Sequence, residues 1–229
     1  MDKKRAKTKD DYSKIAGLYF EDFGNDFDNF EAVDLFIELL KRRHLENREI
    51  LDLGSGPGNY IKYLYDNNLK NITAVEFVPE FCEILKERFK DNSLKIVKEE
   101  MLTYLKTLDA NSVGSIIAGF SIIHIPDEEV DELFKEIKRI LVKNGLFLMS
   151  GHKGTFKGFE EEPYLTSQDP RLKVSEKLET YTNYFTEEEL KERIEKVGLK
   201  IFKIFTFKPI VRAGDIPVDK IFVITENND

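Results

Sequence analysis

The chain has 229 residues, of which 41% are hydrophobic and 34% charged, and its formal net charge at pH 7 is −8. This balance is typical of a soluble globular protein, and the length fits one α/β domain. The acidic excess disfavours tight nucleic-acid binding, and no apolar run approaches the ~20 residues of a membrane span. Because no such run occurs and Met1–Asp10 is charged with no apolar signal core, we expect a cytoplasmic protein. A single cysteine excludes an internal disulfide and a cysteine-rich metal site, and we expect no metal centre.

A basic tail and two helical patterns precede the first predicted strand. Met1–Asp10 is rich in lysine, and we expect it to be disordered. Apolar side chains recur at helical spacing in Asp11–Phe23, and Phe27–His44 carries a second amphipathic pattern. These patterns predict a short helix ahead of the core and a longer helix that covers one face of a sheet.

A glycine-rich turn follows the first strand and organises the rest of the chain. The apolar residues Ile50–Leu53 predict a strand, and we expect the next helix to begin near Pro57, because proline is tolerated at a first helical position. Gly54 and Gly56 can take positive φ and have no Cβ, so a ligand can lie against the main chain there. The pattern is typical of nucleoside binding.

The spacing of the turn disfavours a dinucleotide. Its glycines read G-x-G-x-G, whereas the dinucleotide fingerprint is G-x-G-x-x-G, and Asn59 stands where the third glycine of that fingerprint belongs. Pro57 removes an amide from the helix start, and Asp52 would repel a diphosphate. A cationic or zwitterionic ligand such as S-adenosylmethionine fits better than a nicotinamide dinucleotide.

Ile50–Gly58 resembles motif I of the class I S-adenosylmethionine-dependent methyltransferases. Asp52, Gly54, Gly56 and Gly58 fill every fixed position of that motif. The resemblance implies an α/β fold with a doubly wound, seven-stranded, mostly parallel Rossmann-like sheet, strand order 3-2-1-4-5-7-6 and an antiparallel last strand. It also implies that S-adenosyl-L-methionine binds at the carboxyl ends of strands one to four.

Residues after the next strands complete the predicted cofactor site. Glu76 ends a strand over Ile72–Phe77 and lies about 20 residues beyond the turn, the offset at which an acid meets the ribose in nucleoside-binding βαβ units. Its carboxylate can accept hydrogen bonds from both ribose hydroxyls. By resemblance, Glu100 after strand Leu94–Val97 accepts from the adenine amine, with Glu99 as a rival. The predicted cofactor contacts are Tyr12, Tyr19, Asp52, Gly54, Ser55, Gly56, Gly58, Glu76, Phe77, Glu100, Met101 and Phe120. Tyr12 and Tyr19, with Ile15 and Ala16, resemble the lead-in that forms a lid over this pocket in the family.

The apolar run Val113–Phe120 predicts a central strand buried on both faces. Phe120–Pro126, which follows it, resembles the segment that borders the transferred methyl in these enzymes. His124 lies in that segment and is the predicted general base, because a neutral imidazole can take a proton from a hydroxyl or amine near neutral pH. A packing or capping role for His124 is the alternative. Predicted contacts to the methyl acceptor are Ser121, His124, His152, Phe156 and Tyr184.

The second half alternates between regular and irregular patterns. A helix over Asp127–Val142 and a strand over Leu146–Ser150 are expected, followed by the irregular stretch Gly151–Asn183, which we interpret as a substrate cover. Thr186 is placed to cap the last helix, which precedes two final strands. Those strands are predicted at Leu199–Lys208 and Lys220–Thr225.

We therefore predict one methyltransferase domain, 1–229, that acts on a small-molecule oxygen, nitrogen or carbon nucleophile. Within it, 1–45 is the helical lid, 46–151 the cofactor-binding core, 152–185 the substrate cover and 186–229 the final helix and strand pair. The alternatives are an RNA or protein methyltransferase, a nicotinamide-dependent oxidoreductase and a nucleoside-binding protein without turnover. The sequence names neither the acceptor nor the oligomeric state.

Overall fold

The computed structural model describes residues 2–25, 30–161, 171, 178–208 and 218–229. The strands are β1 (Ile50–Leu53), β2 (Ile72–Val75), β3 (Lys95–Val97), β4 (Val113–Gly119), β5 (Leu141–His152), β6 (Lys157–Glu161), β7 (Glu179–Asn183), β8 (Lys200–Phe207) and β9 (Lys220–Glu226). The α-helices are α1 (Lys3–Phe23), α2 (Phe30–Arg42), α3 (Asn59–Asp66), α4 (Pro79–Arg88), α5 (Met101–Leu105), α6 (Asp127–Ile140) and α7 (Glu187–Lys196).

Seven strands form one sheet in the order β3-β2-β1-β4-β5-β9-β8. Strands β1 to β5 are parallel, whereas β9 runs antiparallel to both β5 and β8. With β8 and β9 as the sixth and seventh strands of this sheet, the predicted order 3-2-1-4-5-7-6 and the antiparallel last strand are confirmed. Strands β6 and β7 pair separately as an antiparallel hairpin inside the stretch that was predicted to be irregular.

The sheet is buried on both faces because helices cover each side. Leu102 of α5, Phe134 of α6 and Ile194 of α7 belong to one core cluster, and Phe36 of α2 and Ile61 of α3 belong to the other. All four residues of β1 are buried, as expected for a parallel strand in the middle of a doubly wound sheet. The carboxyl ends of β1, β2, β3, β4 and β5 therefore meet at one edge. No helix within the described ranges is both long and apolar enough to cross a bilayer.

Several predicted boundaries are shifted. Helix α3 begins at Asn59, not near Pro57, because Gly58 takes a left-handed conformation with φ 83° immediately before it. Helix α6 ends at Ile140, and β5 begins directly afterwards, with Asn144 at φ 62° inside the strand. Strand β5 also continues to His152, so that residue belongs to the central sheet and not to an insertion. Residues 27–29 of the predicted second helix lie outside the described residues.

The prediction of a disordered basic tail is wrong for the described part of that segment. Helix α1 begins at Lys3, and the side chain of Asp2 caps it by accepting from two backbone amides. Arg5 then pairs with Glu100 of α5 and Glu129 of α6 at 2.9 and 2.7 Å. The basic residues have acidic partners elsewhere in the fold, so the helix that holds them is stabilised by tertiary contacts that a local pattern does not show.

Helix α1 is fastened at a second place, along strand β7. Thr8 and Asp11 are buried, and their side chains accept from the backbone amides of Tyr181 and Glu179 at 3.0 and 2.7 Å. Ile15, one turn further along, is 1% exposed. These bonds satisfy amides of β7 that face α1 and hold the helix against the carboxyl edge of the sheet.

Candidate active site

The glycine turn after β1 combines tight packing with one open position. Gly54, Gly56 and Gly58 have φ of 66°, 51° and 83°. A Cβ at Gly54 would lie 2.5 Å from Cβ of Ser121, and one at Gly58 would lie 2.6 Å from the Phe89 ring. A Cβ at Gly56 would meet nothing within 4 Å. Gly54 and Gly58 are therefore required by packing, whereas Gly56 borders space that a ligand can enter.

Two buried carboxylates stand beside this turn. Asp52 is 1% exposed, and its Oδ2 is buried with no hydrogen-bond partner among the described groups. Burial, followed by the nearby Glu76 carboxylate, raises the pKa of Asp52 to about 7, against a lowering by Ser55. An unpaired buried carboxylate is unfavourable, so this atom is suited to a cationic donor supplied by a ligand.

Glu76 follows β2 directly and is 3% exposed. Its Oε2 accepts from the Gly56 amide at 2.7 Å, and its Oε1 accepts from the Val78 amide at 2.8 Å. Burial raises the pKa of Glu76, and these backbone hydrogen bonds oppose that rise. Each oxygen keeps a second acceptor position, because an ionised carboxylate has about four. Glu76 thus fixes the turn and can still accept from ligand hydroxyls.

A cavity of about 190 Å³ opens where β2 and β3 end and where α1 passes over them. It brings together two predicted cofactor residues, Phe77 and Glu100, and adds the rival Glu99. Met101 lies between this region and the turn, with its Cε 3.3 Å from the position of a Cβ on Gly54. The remaining lining residues are Arg5, Lys9 and Thr103. Phe77 and Glu100 therefore line one cavity, and Met101 lies against the glycine turn.

Glu100 already holds several donors in this structure. It caps α5 by accepting from the amides of Leu102 and Thr103 at 3.1 and 2.9 Å, and it also accepts from the Thr103 hydroxyl at 3.0 Å. Arg5 adds a fourth donor at 2.9 Å. Glu99 uses its Oε1 for the Glu100 amide and has an exposed side chain. Glu99 therefore has more open acceptor positions for a ligand hydrogen bond than Glu100.

The chain that leaves β4 packs directly against the glycine turn. Phe120 has φ 52°, and its amide donates to the Ser150 hydroxyl at 3.1 Å. The hydroxyl of Ser121 donates to the Leu53 carbonyl at 2.5 Å, and the Ser121 side chain is buried. These contacts place the predicted acceptor-side segment next to the predicted cofactor side.

His124 uses both ring nitrogens. Its Nδ1 lies 2.7 Å from the Tyr181 carbonyl oxygen, and its Nε2 lies 3.1 Å from the Tyr12 hydroxyl. A carbonyl only accepts, so Nδ1 carries the hydrogen and Nε2 accepts from Tyr12. Burial lowers the pKa of His124 to about 4, although the bond to Tyr181 raises it. The imidazole is therefore neutral at pH 7 and connects α1 to β7. Its assignment as a general base stays a prediction.

The other predicted acceptor residues form a row of rings. His152 lies between Phe120 and Tyr184, with centroid separations of 5.5 and 5.1 Å, and Phe156 follows at 5.5 Å from Tyr184. The Tyr184 hydroxyl donates to Glu160 at 2.8 Å. Phe120 connects this row to the glycine turn through its neighbour in sequence, Ser121. The predicted acceptor residues therefore lie side by side.

The two lid tyrosines occupy different positions. Tyr12 meets His124, whereas Tyr19 packs edge-on against Tyr12 at 5.9 Å and against Phe81 of α4 at 5.7 Å. Sequence reasoning missed Tyr60, whose ring lies against Gly119 and whose hydroxyl is 3.3 Å from that of Ser150. Its position directly after the turn was the available signal. Across the described ranges, no group of three or more His, Cys, Asp or Glu side chains is arranged to hold a metal ion.

Comparison with known proteins bears on the same segment. Residues 51–149 match the family model described as a methyltransferase domain. A tRNA (guanine-N(7)-)-methyltransferase of Campylobacter jejuni is 28% identical over 162 residues, which are 66% of this chain and 41% of that protein. An ornithine lipid N-methyltransferase of Singulisphaera acidiphila is 24% identical over 106 residues, 44% of this chain and 55% of that protein. The chain thus spans about half the length of these curated relatives.

Solved structures share the fold. An S-adenosylmethionine-dependent methyltransferase from Clostridium acetobutylicum superposes with a TM-score of 0.68 and 15% identity, over 95% of this chain and 99% of that one. The matched family segment contains the glycine turn, Asp52, Glu76 and the segment after β4. Residues 51–149 therefore match a methyltransferase domain, and the chain shares the fold of the S-adenosylmethionine-dependent methyltransferase from Clostridium acetobutylicum.

Proposed function

We propose that the protein transfers a methyl group from S-adenosylmethionine to an oxygen, nitrogen or carbon atom of a small molecule. The observation that carries this proposal is the buried Oδ2 of Asp52, which has no partner among the described residues, at the start of the turn that holds Gly56. Gly56 is the one of the three turn glycines at which a Cβ would meet nothing within 4 Å. The row of rings that includes His152 begins at Phe120, the neighbour of Ser121 in sequence. A cationic group can bind beside the turn and an acceptor along the row of rings.

The residues around the turn suit each part of the cofactor. Asp52 would pair with its ammonium group, and the spare acceptor positions of Glu76 would take the ribose hydroxyls. Phe77 and the acids of the cavity would meet the adenine. When bound, the cofactor supplies a methyl group on a positively charged sulfur. The protein's part is then to orient the acceptor and exclude water, which can contribute several kcal/mol.

His124 can remove a proton from the acceptor through Tyr12. An acceptor hydroxyl or amine would donate to the Tyr12 oxygen while Tyr12 passes its own proton to Nε2 of His124, so one proton leaves the acceptor and one arrives on the imidazole. The Tyr181 carbonyl stabilises the charged ring through Nδ1. Because burial lowers the pKa of His124, we expect positioning to contribute more to the rate than proton removal.

The charge distribution favours a small acceptor over a nucleic acid. The two relatives described above act, by their names, on tRNA and on an ornithine lipid. In this chain, Lys4 pairs with Glu128 and Arg5 pairs with Glu100 and Glu129. Since the basic start of α1 is paired with acids and the net charge is −8, it makes a poor surface for phosphates.

Calorimetry and a turnover screen test the proposal. We expect S-adenosylhomocysteine to bind and NAD not to bind, because Asp52 and Pro57 leave no seat for a diphosphate. The protein is also incubated with S-adenosylmethionine and a library of metabolites, and the products are analysed by mass spectrometry. One metabolite should gain the mass of one CH₂, about 14 mass units, because a methyl group replaces a hydrogen. Tighter binding of NAD than of S-adenosylhomocysteine would contradict the methyltransferase assignment.

A further inference from the structure

His152 stands out among the groups near the turn because one of its nitrogens has no partner. It is the last residue of β5, at the same sheet edge as the glycine turn. Its Nδ1 is buried and lacks a hydrogen bond within the described part of the chain, whereas both nitrogens of His124 are bonded. A buried polar atom left unpaired is unfavourable and uncommon in native structures, so this nitrogen calls for an explanation.

The position of the atom separates it from most other unpaired atoms of the structure. The other buried atoms without a partner in the described part of the chain belong to Glu46, Asp52, Tyr65, Ser115 and Thr225. Glu46 precedes β1 and Tyr65 is near the end of α3. Ser115 pairs with Ile50 at the amino end of β1, and Thr225 pairs with Phe147 in the middle of β5. Among these described residues, Asp52 and His152 lie toward the carboxyl edge, where the ligands of such sheets bind.

We propose that His152 binds the methyl acceptor directly, through a hydrogen bond between Nδ1 and a hydroxyl or amine that is attached to a flat, apolar body. This inference rests on the proposed methyl transfer and deepens it. The ring of His152 is inclined by 49° to Phe120 and by 47° to Tyr184, so neither pair is stacked. A flat molecule that enters between His152 and Tyr184 would replace aromatic contacts with similar ones and give Nδ1 its missing partner.

The surroundings of His152 favour a neutral imidazole, whose unprotonated nitrogen can accept a hydrogen bond. Burial, His124 and Lys220 all lower the pKa of His152, to about 4. The groups that face it from neighbouring elements are Phe120 after β4, Tyr184 after β7, His124 and Lys220 of β9. A neutral imidazole in this surrounding accepts a hydrogen bond from a hydroxyl or amine, and the nearby Lys220 disfavours a second cation. His152 in this role positions the acceptor, and the inference assigns it no proton transfer.

Nitrogen-15 NMR of histidine-labelled protein tests the inference, with phenol and toluene as probes that differ only in a hydroxyl and a methyl group. In protein saturated with S-adenosylhomocysteine, phenol should shift the His152 Nδ1 resonance and toluene should not. His152→Leu should weaken phenol binding by ~10-fold or more, while His152→Asn, which keeps a polar atom near the Nδ1 position, should stay within ~3-fold of the parent. Equal shifts by both probes, or unchanged phenol binding by the Leu variant, would overturn the inference.

Unfolding in urea supplies a second readout. Because Nδ1 has no partner in the ligand-free protein, His152→Leu should leave the urea midpoint unchanged or raise it. If His152→Leu lowers the urea midpoint and His152→Asn does not, Nδ1 is hydrogen-bonded within the protein and the inference is wrong. Failure of S-adenosylhomocysteine to bind would instead contradict the proposed function, and the phenol titration can still be read on the ligand-free protein.

Discussion

Replacement of Asp52 by Asn should stabilise the ligand-free protein at alkaline pH and weaken cofactor binding. Burial raises the pKa of Asp52 from 3.8 to about 7, so the folded protein holds this proton more tightly than the unfolded chain. The stability gained from that proton is present below the unfolded pKa and is lost as pH rises from about 4 to about 7. A shift of about 3 pKa units corresponds to about 4 kcal/mol above that window. Asn cannot ionise and avoids this loss.

Urea unfolding of both proteins at pH 4.5 and pH 8 measures the effect. We expect the Asn variant to gain relative to the parent by up to about 3 kcal/mol between the two conditions, in the direction of greater stability at pH 8, because part of the effect is already present at pH 4.5. Asp66→Asn, which changes an exposed carboxylate paired with Lys62, is the matched control and should show no such gain. A variant whose stability relative to the parent is the same at both pH values would refute the assignment of a raised pKa to Asp52.

Cofactor binding should change in the opposite direction. We propose that the ammonium group of S-adenosylhomocysteine pairs with the charged form of Asp52, in which case the ligand must displace a proton below pH 7. We expect the affinity of the parent to fall as pH drops from 7.5 to 5.5, with proton release detected by calorimetry in buffers of different ionisation enthalpy. Asp52→Asn should bind about 10- to 100-fold more weakly at pH 7.5 and lose this dependence, since hydrogen bonds to charged groups contribute about 1.5 to 3 kcal/mol. A parent affinity that is flat over this range would count against the pairing.

The remaining predictions concern the turn, the ribose contact and the relay. Gly56→Val should abolish S-adenosylhomocysteine binding by calorimetry and stay folded by circular dichroism with some loss of stability, because its side chain enters open space but strains a backbone with φ 51°. Normal binding would make the turn structural only. Glu76→Ala should cost about 1.5 to 3 kcal/mol in affinity and Glu76→Gln less, since both carboxylate oxygens are used. His124→Ala should lower turnover by ~10²- to 10⁴-fold and leave cofactor affinity nearly unchanged. The double variant with Tyr12→Phe should lose little more turnover than His124→Ala alone, because the two residues of a relay act as a unit. Additive effects on turnover would separate Tyr12 from His124.

Local pattern was sufficient for the sheet, because its strands are apolar runs that end in turn residues. Ile50–Leu53 is found at the predicted residues, and Val113–Gly119 differs by one residue from its prediction. The predicted ends of helices and strands were wrong where a left-handed backbone conformation determined them. Gly58 adopts φ 83° and delays α3 past Pro57, and the left-handed Asn144 lies within β5 instead of between a helix and a strand. Spacing of apolar residues carries no information about either conformation.

Helix α1 could not be predicted in full because its partners are far away in sequence. Arg5 pairs with Glu129, and Thr8 binds the amide of Tyr181. Read locally, Met1–Asp10 is a run of charges, and such runs are usually disordered. The predicted role of Glu100 met the same difficulty, since Arg5 and the first turn of α5 fill its acceptor positions in the folded protein. Single-sequence reasoning identified the acids of the site without the groups that compete for them.

The two unpaired atoms at the carboxyl edge connect stability to function. Asp52 and His152 each hold a buried polar atom that has no partner in the described part of the chain. A buried polar atom without a partner at the ligand edge of such a sheet is a candidate for a hydrogen bond that a ligand completes. If Asp52 binds the cofactor and His152 binds the acceptor, variants at either site should leave the ligand-free protein at least as stable as the parent. Each variant should lose the binding of a different ligand. Separate losses of S-adenosylhomocysteine at Asp52 and of phenol at His152 would show two adjoining sites, whereas joint losses would show one shared site.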